Sequence, residues 1–357
     1  MAKDKVRIGM VGAGGNFVSR HIPGFNQVKE AELVGVSNRT RQSSEKIAKE
    51  FGIPNIYDSW IDLVQDDDID AIAIGTWPYM HCPITLLALE NGKHVLTEAR
   101  MASNSTEAHT MLEASKENPD LVCQIVPAPF TLSIDKKIND LLLNGYVGDI
   151  VSVELTSNPG AFVNKDQPFQ WRHNIKYSGN NIMMMGIWYE TLMRWIGPAK
   201  SVSAMGQITV PYKKNDDGLY QSVEIPDHID ITCKMTCGAQ ATIKLSSVIG
   251  LNPKNEVWIY GTEGTIVING TTLEIHGGKK GDKSISKIEV EKEYIVEGLQ
   301  GLPAGWRVEE DFINSIVKGS PVIHSPFDVG VQYMEFTDAV SISAQEGKVV
   351  HLPFRNQ

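Results

Sequence analysis

A short apolar run, Val6 to Val11, ends in Gly12-Ala13-Gly14-Gly15-Asn16-Phe17 and leads into a stretch of helical character, Phe17 to Val28. Glycines between a strand and a helix have a defined use. The first permits a tight turn, and the second lets backbone N–H groups approach a pyrophosphate at the positive end of the helix. Gly12 and Gly14 suit those two roles, with Gly15 and Asn16 completing the loop. The third glycine of the usual spacing is replaced by Phe17, whose bulk should push the helix off the strand or shield a ligand. At the end of the next strand stands Ser37-Asn38-Arg39-Thr40-Arg41, where a carboxylate usually holds the ribose of NAD. Asn38 can bond a ribose hydroxyl. Arg39 can pair with a 2′-phosphate and stack on adenine, which favours NADP over NAD.

Acid–base chemistry has fewer candidates. His173, in Trp171-Arg172-His173-Asn174-Ile175-Lys176-Tyr177, titrates near neutrality in its ordinary state and is the first choice for a proton carrier. Tyr189 offers a phenol further on. Arg100, in Glu98-Ala99-Arg100, stays charged at all relevant pH and can hold an oxygen or a carboxylate but not relay a proton. If Asn181 to Trp195 is one helix, Met184, Trp188 and Thr191 share a face, which suits apolar stacking against a ring. Asp227, His228 and Asp230 resemble a metal cluster in composition. On a strand, however, Asp227 and His228 point to opposite faces, so no metal site is expected.

These residues need a scaffold, and the chain supplies one. Strand-like runs at Val6–Val11, Ala31–Ser37, Ala71–Ile74, His94–Thr97 and Leu121–Val126 alternate with helical segments, the pattern of a parallel, doubly wound α/β sheet. Beyond residue 125 the texture becomes that of hairpins: Val151–Thr156, Ala199–Thr209, His228–Thr236, Gln240–Ser246, Glu256–Tyr260 and Thr265–Ile268. This predicts a second α+β domain with a mostly antiparallel sheet covered by helices at Asn181–Trp195, Trp306–Lys318 and Asp328–Glu346. The domain boundaries read as 1–125 and 126–357. Lys279–Glu293 reads as an exposed hairpin.

At 357 residues and 42% hydrophobic content the chain is long and apolar enough for two cored domains, which argues against disorder. With 33 basic and 43 acidic residues it carries a net charge of −10, unfavourable for nucleic acid or an anionic membrane. No stretch of about 18 apolar residues occurs, and the start has no signal-like segment, so a cytoplasmic protein is expected. Cys82, Cys123, Cys233 and Cys237 form no metal or redox spacing and read as reduced thiols in or near the core.

Taken together, the chain resembles the Gfo/Idh/MocA oxidoreductases. The resemblance rests on the glycine loop with His21 following, the Thr76–His81 segment and Gly92-Lys93-His94-Val95-Leu96-Thr97-Glu98. It continues in Trp171-Arg172, Arg194-Trp195-Ile196-Gly197 and Tyr260-Gly261-Thr262-Glu263-Gly264. It implies a Rossmann domain followed by an open-faced α/β domain, an NAD(P) cofactor, a site in the cleft between the domains, and homodimers or homotetramers formed through the second sheet. It further implies that Thr76, Trp77, His81 and Glu98 border the cofactor. Arg172, Lys176, Tyr177, Met184 and Trp188 would border a sugar, cyclitol or related polyol.

The family's Glu-Lys-Pro is Glu98-Ala99-Arg100 here, and its helix Asp and His positions are Met184 and Trp188. The proton carriers have therefore changed. Three readings stand at this point: a dehydrogenase with a non-standard proton route, a redox-neutral glycosidase, epimerase or lyase with tightly bound NAD(P), and an inactive cofactor- or sugar-binding protein.

Overall fold

The computed structural model describes residues 5–180 and 182–353. The chain divides into two compact units, Met1–Pro127 with Gly298–Met334, and Ala128–Glu297 with Glu335–Gln357.

The first unit is built on six strands: β1 (Val6–Val11), β2 (Ala31–Ser37), β3 (Asn55–Ile56), β4 (Ala71–Ile74), β5 (His94–Thr97) and β6 (Cys123–Ile125). They lie in the order β3-β2-β1-β4-β5-β6, every pair parallel. The order reverses direction between β1 and β4. In sheets of this kind ligands bind at the carboxyl ends of the strands beside that reversal. Strand β4, Ala-Ile-Ala-Ile, is apolar and buried throughout, as a central parallel strand covered on both faces requires. Helix ends follow local chemistry: Thr40 accepts the N–H of Ser43 at the start of Arg41–Phe51, and Gly52 closes it in the left-handed region.

The expected helix Trp306–Lys318 is found at Val308–Lys318, but it does not cover the second sheet. Its residues Val308, Phe312 and Ile313, with Trp306, join Ile8, Phe17, Ile22 and Phe25 in the core of the first unit. The helix stands where the sequence suggests; what the sequence conceals is which sheet it meets. Phe17 also departs from expectation. Its ring is 2% exposed and lies in that same core instead of shielding a ligand. It fits because Gly75, just past β4, has no side chain: a Cβ there would stand 2.3 Å from the Phe17 ring. The turn from Phe17 to His21 is π-helical, wider than an α-turn, with Ile22 N–H bonded to Phe17 O.

The second unit carries β7 (Ile150–Asn158), β8 (Ala199–Gln207), β9 (Tyr212–Lys214), β10 (Tyr220–Ser222), β11 (His228–Met235), β12 (Gln240–Ser246), β13 (Lys254–Gly261), β14 (Gly264–Asn269), β15 (Ile275–Lys279), β16 (Ser286–Ile288) and β17 (Val350–His351). Nine of them form one sheet, β16-β15-β14-β13-β7-β12-β11-β8-β17, antiparallel except for the β7–β12 pair. Strands β9 and β10 make a separate hairpin. Alternation is clean on β11 and β12: Ile229, Ile231, Cys233, Ala241, Ile243 and Leu245 face the core, while Thr232, Lys234 and Thr242 face outward. The basic segment after Lys279 returns through β16, a hairpin as expected.

The helix expected at Asn181–Trp195 spans Met185–Ile196, with Met184 at its N-terminal cap. Asn181 lies outside the described residues. Cys237 departs from the expectation of a core or near-core thiol: it is exposed, because it sits in the turn between β11 and β12.

Candidate active site

The loop after β1 in the first unit has the shape its glycines require. Gly12 adopts φ +80°, and a Cβ there would meet Thr76 N at 2.8 Å and Thr76 Cγ2 at 2.7 Å. Its N–H bonds Ser37 O at 2.9 Å, which ties the loop to the end of β2. Gly14 and Gly15 are exposed, and around a Cβ at Gly15 there is open space. Two polar atoms at neighbouring strand ends are buried without a partner: Asn38 Oδ1 after β2 and Thr76 Oγ1 after β4. Buried oxygens of this kind ask for a hydrogen-bonding ligand. A cradle without side chains, flanked by orphaned acceptors at the switch point, fits a dinucleotide. Asn38 Nδ2 donates to Ser43 Oγ, which fixes the amide with its oxygen turned the other way. Arg39 is exposed and its guanidinium lies 5.9 Å from the centre of the Trp77 ring.

Next to this cradle, Glu98 follows β5 and rests on a buried charge cluster. His21 Nε2 meets Glu98 Oε1 at 3.0 Å, and His21 Nδ1 meets Glu309 Oε1 at 2.6 Å. Trp306 Nε1 donates to Glu309 Oε2 at 2.9 Å. Both ring nitrogens of His21 face carboxylates, so both must carry protons. Burial alone would lower the pKa of His21, but its bonds to Glu309 and Glu98 outweigh that and hold it up to about 9. Burial pushes Glu98 upward. Its bond from His21, the charge there and a bond from Asn16 outweigh burial, so the carboxyl lies below its ordinary range and stays ionised. Asn16 thus serves Glu98 as well as the loop. Glu309 and Trp306 carried no sequence signal for the site, since 288 positions separate His21 from Glu309.

His81 has a structural assignment. Its two ring nitrogens lie 2.8 Å from Arg100 O and 3.0 Å from Thr76 O, so it clamps two loops together and is itself buried. The Arg100 side chain is also buried. His94 Nδ1 accepts the N–H of Val122, as a structural histidine does.

In the second unit the residues predicted near a substrate divide. Tyr189 is sealed: its ring stacks on Phe336 with centroids 3.6 Å apart, and its hydroxyl oxygen accepts the N–H of Ala199 at 2.8 Å. Burial raises its pKa, so it is a poor proton carrier. Trp188 is fully buried against Phe130, with centroids 4.9 Å apart, and does not form an open wall. Thr191 bonds back to Ile187 O within its own helix. Met184 is partly exposed and lines a 480 Å³ cavity with Asn158, Ser246, Lys254, Asn255 and Glu256.

Arg172 and His173 line a second cavity of 410 Å³. Lys176 and Tyr177 are exposed on the following turn, and neither is among the residues lining that cavity. His173 Nδ1 accepts the N–H of Gln170 at 2.9 Å, so the neutral ring keeps its proton on Nε2. Burial, with the nearby charge of Lys213, lowers the pKa of His173. The ring is therefore a neutral hydrogen-bond donor rather than a base. Asp227 and His228 do not converge: Asp227 accepts from Thr209, whereas His228 lies 3.2 Å from Asp230.

A family model described as an oxidoreductase family with an NAD-binding Rossmann fold matches residues 6–125, and a Gfo/Idh/MocA C-terminal domain matches residues 136–267. The chain belongs to the Gfo/Idh/MocA oxidoreductase family. Among relatives, trans-1,2-dihydrobenzene-1,2-diol dehydrogenase of Mus musculus is 25% identical over 256 residues, covering 69% of this chain and 72% of its own. Levoglucosan dehydrogenase of Pseudarthrobacter phenanthrenivorans is 23% identical over 255 residues, covering 66% of this chain and 64% of its own. A solved structure of levoglucosan dehydrogenase with NADH and L-sorbose superposes with a TM-score of 0.86 at 22% identity, over 98% of this chain and 99% of that one. An NAD-binding oxidoreductase from Klebsiella pneumoniae gives 0.84 at 19% identity, over 98% and 100%. The parallel first sheet and the mixed second sheet are those of Gfo/Idh/MocA structures.

Proposed function

We propose that the protein is a pyridine-nucleotide-dependent dehydrogenase or reductase of carbohydrate-like polyols. The observation that carries this reading is the glycine cradle at the β1–β4 switch point, with ionised Glu98 presented at the end of β5. A bound nicotinamide would accept or deliver the hydride. The backbone around Gly12, Gly14 and Gly15 holds the diphosphate at the start of the first helical segment. Asn38 Oδ1 and Thr76 Oγ1 accept hydroxyl or amide protons from the ligand. Glu98, fixed by His21 and Asn16, accepts a hydrogen bond from the nicotinamide ribose or its carboxamide. His173 Nε2–H donates to a substrate oxygen. Ala99 cannot move a proton, so in oxidation the hydroxyl proton passes to water as the hydride leaves the carbon, and in reduction it returns from water. A cytoplasmic location and self-association through the outward face of the second sheet complete the reading.

Incubation with NAD⁺ or NADP⁺ and a panel of sugars, anhydrosugars and polyols tests it. Reduced nicotinamide, followed by its near-ultraviolet absorbance, should accumulate with at least one member. Binding of the dinucleotide without turnover of any member would contradict an oxidoreductase role.

Arg39, with Asn38 beside it and no carboxylate in that position, supports NADP over NAD. Arg39→Ala should weaken NADPH binding by about tenfold or more while changing NADH binding by about twofold or less, because a charge-assisted Arg–phosphate pair is lost in one case only. Equal weakening of both would remove the 2′-phosphate from Arg39.

A further inference from the structure

The 410 Å³ cavity of the second unit lies within the size range of about 300–1,000 Å³ usual for small-molecule sites. Its charge balance is unusual for a neutral-sugar site. Lys213, in β9, is 6% exposed and lines it. Among the described residues its ammonium forms no ion pair and bonds to one neutral acceptor, Gln167 Oε1 at 3.3 Å. A buried ammonium that makes no direct ion pair is costly, and an anion bound against it lowers that cost. Arg172 lines the same cavity, its guanidinium 4.3 Å from the Trp171 ring and without a salt bridge among the described residues. His173 adds an Nε2–H donor, because its Nδ1 is taken by Gln170.

Asp227 supplies the one carboxylate among the described lining residues. Its oxygens already accept the Thr209 N–H at 3.1 Å and the Thr209 hydroxyl at 2.5 Å. Phe162, Val223 and Ile225 give the cavity an apolar side for the body of a ligand. Two cations and a neutral donor thus line the cavity with one carboxylate that is already hydrogen-bonded to Thr209, which leaves an excess of positive charge.

We infer that this cavity binds an anionic group, a carboxylate or a phosphate, of a sugar-like substrate, with Lys213 and Arg172 as its counter-ions and His173 as a further donor. The identity of the remainder of that substrate rests on the function proposed above. The anion site itself does not.

Calorimetry on the intact protein tests the inference, with D-glucuronate, D-glucose 6-phosphate and D-glucose as probes and NADH titrated separately. At least one anionic sugar should bind about tenfold or more tighter than glucose, a difference within reach of one charge-assisted contact. Comparison of the two anions separates carboxylate from phosphate. Lys213→Met and Arg172→Gln should each remove most of the preference, and Lys213→Arg should restore it, with an unchanged thermal melting curve confirming an intact fold. No preference in the unaltered protein, or a preference that survives Lys213→Met and Arg172→Gln, overturns the inference. Anion preference in a protein that fails to bind NADH or NADPH would sink the proposed dehydrogenase and leave this site standing.

Discussion

Gly12→Val is expected to weaken NADH binding by about a hundredfold or more. At φ +80° a side chain is strained by roughly 1–3 kcal/mol whatever surrounds it. Here the new Cβ would also press on Thr76 N at 2.8 Å, which forces the β1 loop and the β4 end apart. Those two segments form the cradle, so the loss should appear in ligand affinity well before the unit unfolds. Gly15→Val is the matched comparison. Its Cβ meets nothing within 4 Å, so thermal stability should hold while affinity drops, because the open space is what a diphosphate needs. Fluorescence titration with NADH and a melting curve on each variant measure both quantities. Affinity retained in Gly12→Val would mean that the dinucleotide does not use this loop.

His21→Gln should destabilise the protein by about 3–5 kcal/mol, the usual cost of removing one member of a buried ion cluster. The loss leaves Glu98 and Glu309 buried with no cation between them. The sign of the pH dependence follows from the direction of each shift. His21 titrates at about 9 in the folded protein against an ordinary value of 6.5, so its contribution is complete below pH 6.5 and is lost as pH rises through 9. Glu98 is shifted downward, so its contribution is present above its ordinary value and is lost on acidification. Denaturant unfolding across pH 6 to 10 should therefore show stability falling on the alkaline side in the unaltered protein (about a few kcal/mol in all). The profile of His21→Gln should be flatter there. An unchanged alkaline limb would mean that His21 is not the charged member of the cluster.

The parallel sheet and the glycine loop were legible because both have short-range signals. Apolar runs of four to six residues mark strands β1 and β4, and Gly12 and Gly14 sit where a strand meets a helix. Strand β3 was not legible, since two residues show no periodicity. The helix Val308–Lys318 was visible as a helical segment, but its partner was not: nothing local to Phe312 says that it packs in one core with Phe17. The same limit hides the ion cluster, whose members His21, Glu98 and Glu309 come from three distant segments.

Within the site, residue type pointed to Tyr189 and Trp188, yet both are consumed by packing, Tyr189 against Phe336 and Trp188 against Phe130. His173 was singled out by its chemistry alone, and the bond from Gln170 N–H that decides its proton position is invisible in sequence. Lys213 carries no site signal in the sequence, where Tyr212-Lys213-Lys214 simply precedes Asn215-Asp216-Asp217-Gly218. Folding the β9–β10 hairpin beside Gln167 is what buries the lysine.

Titration of the unaltered protein with NADH and NADPH, followed by quenching of tryptophan fluorescence or by calorimetry, bears most directly on the whole account. One saturable site per chain is the result it requires, lost in Gly12→Val. Absence of saturable binding for both reduced dinucleotides would contradict it.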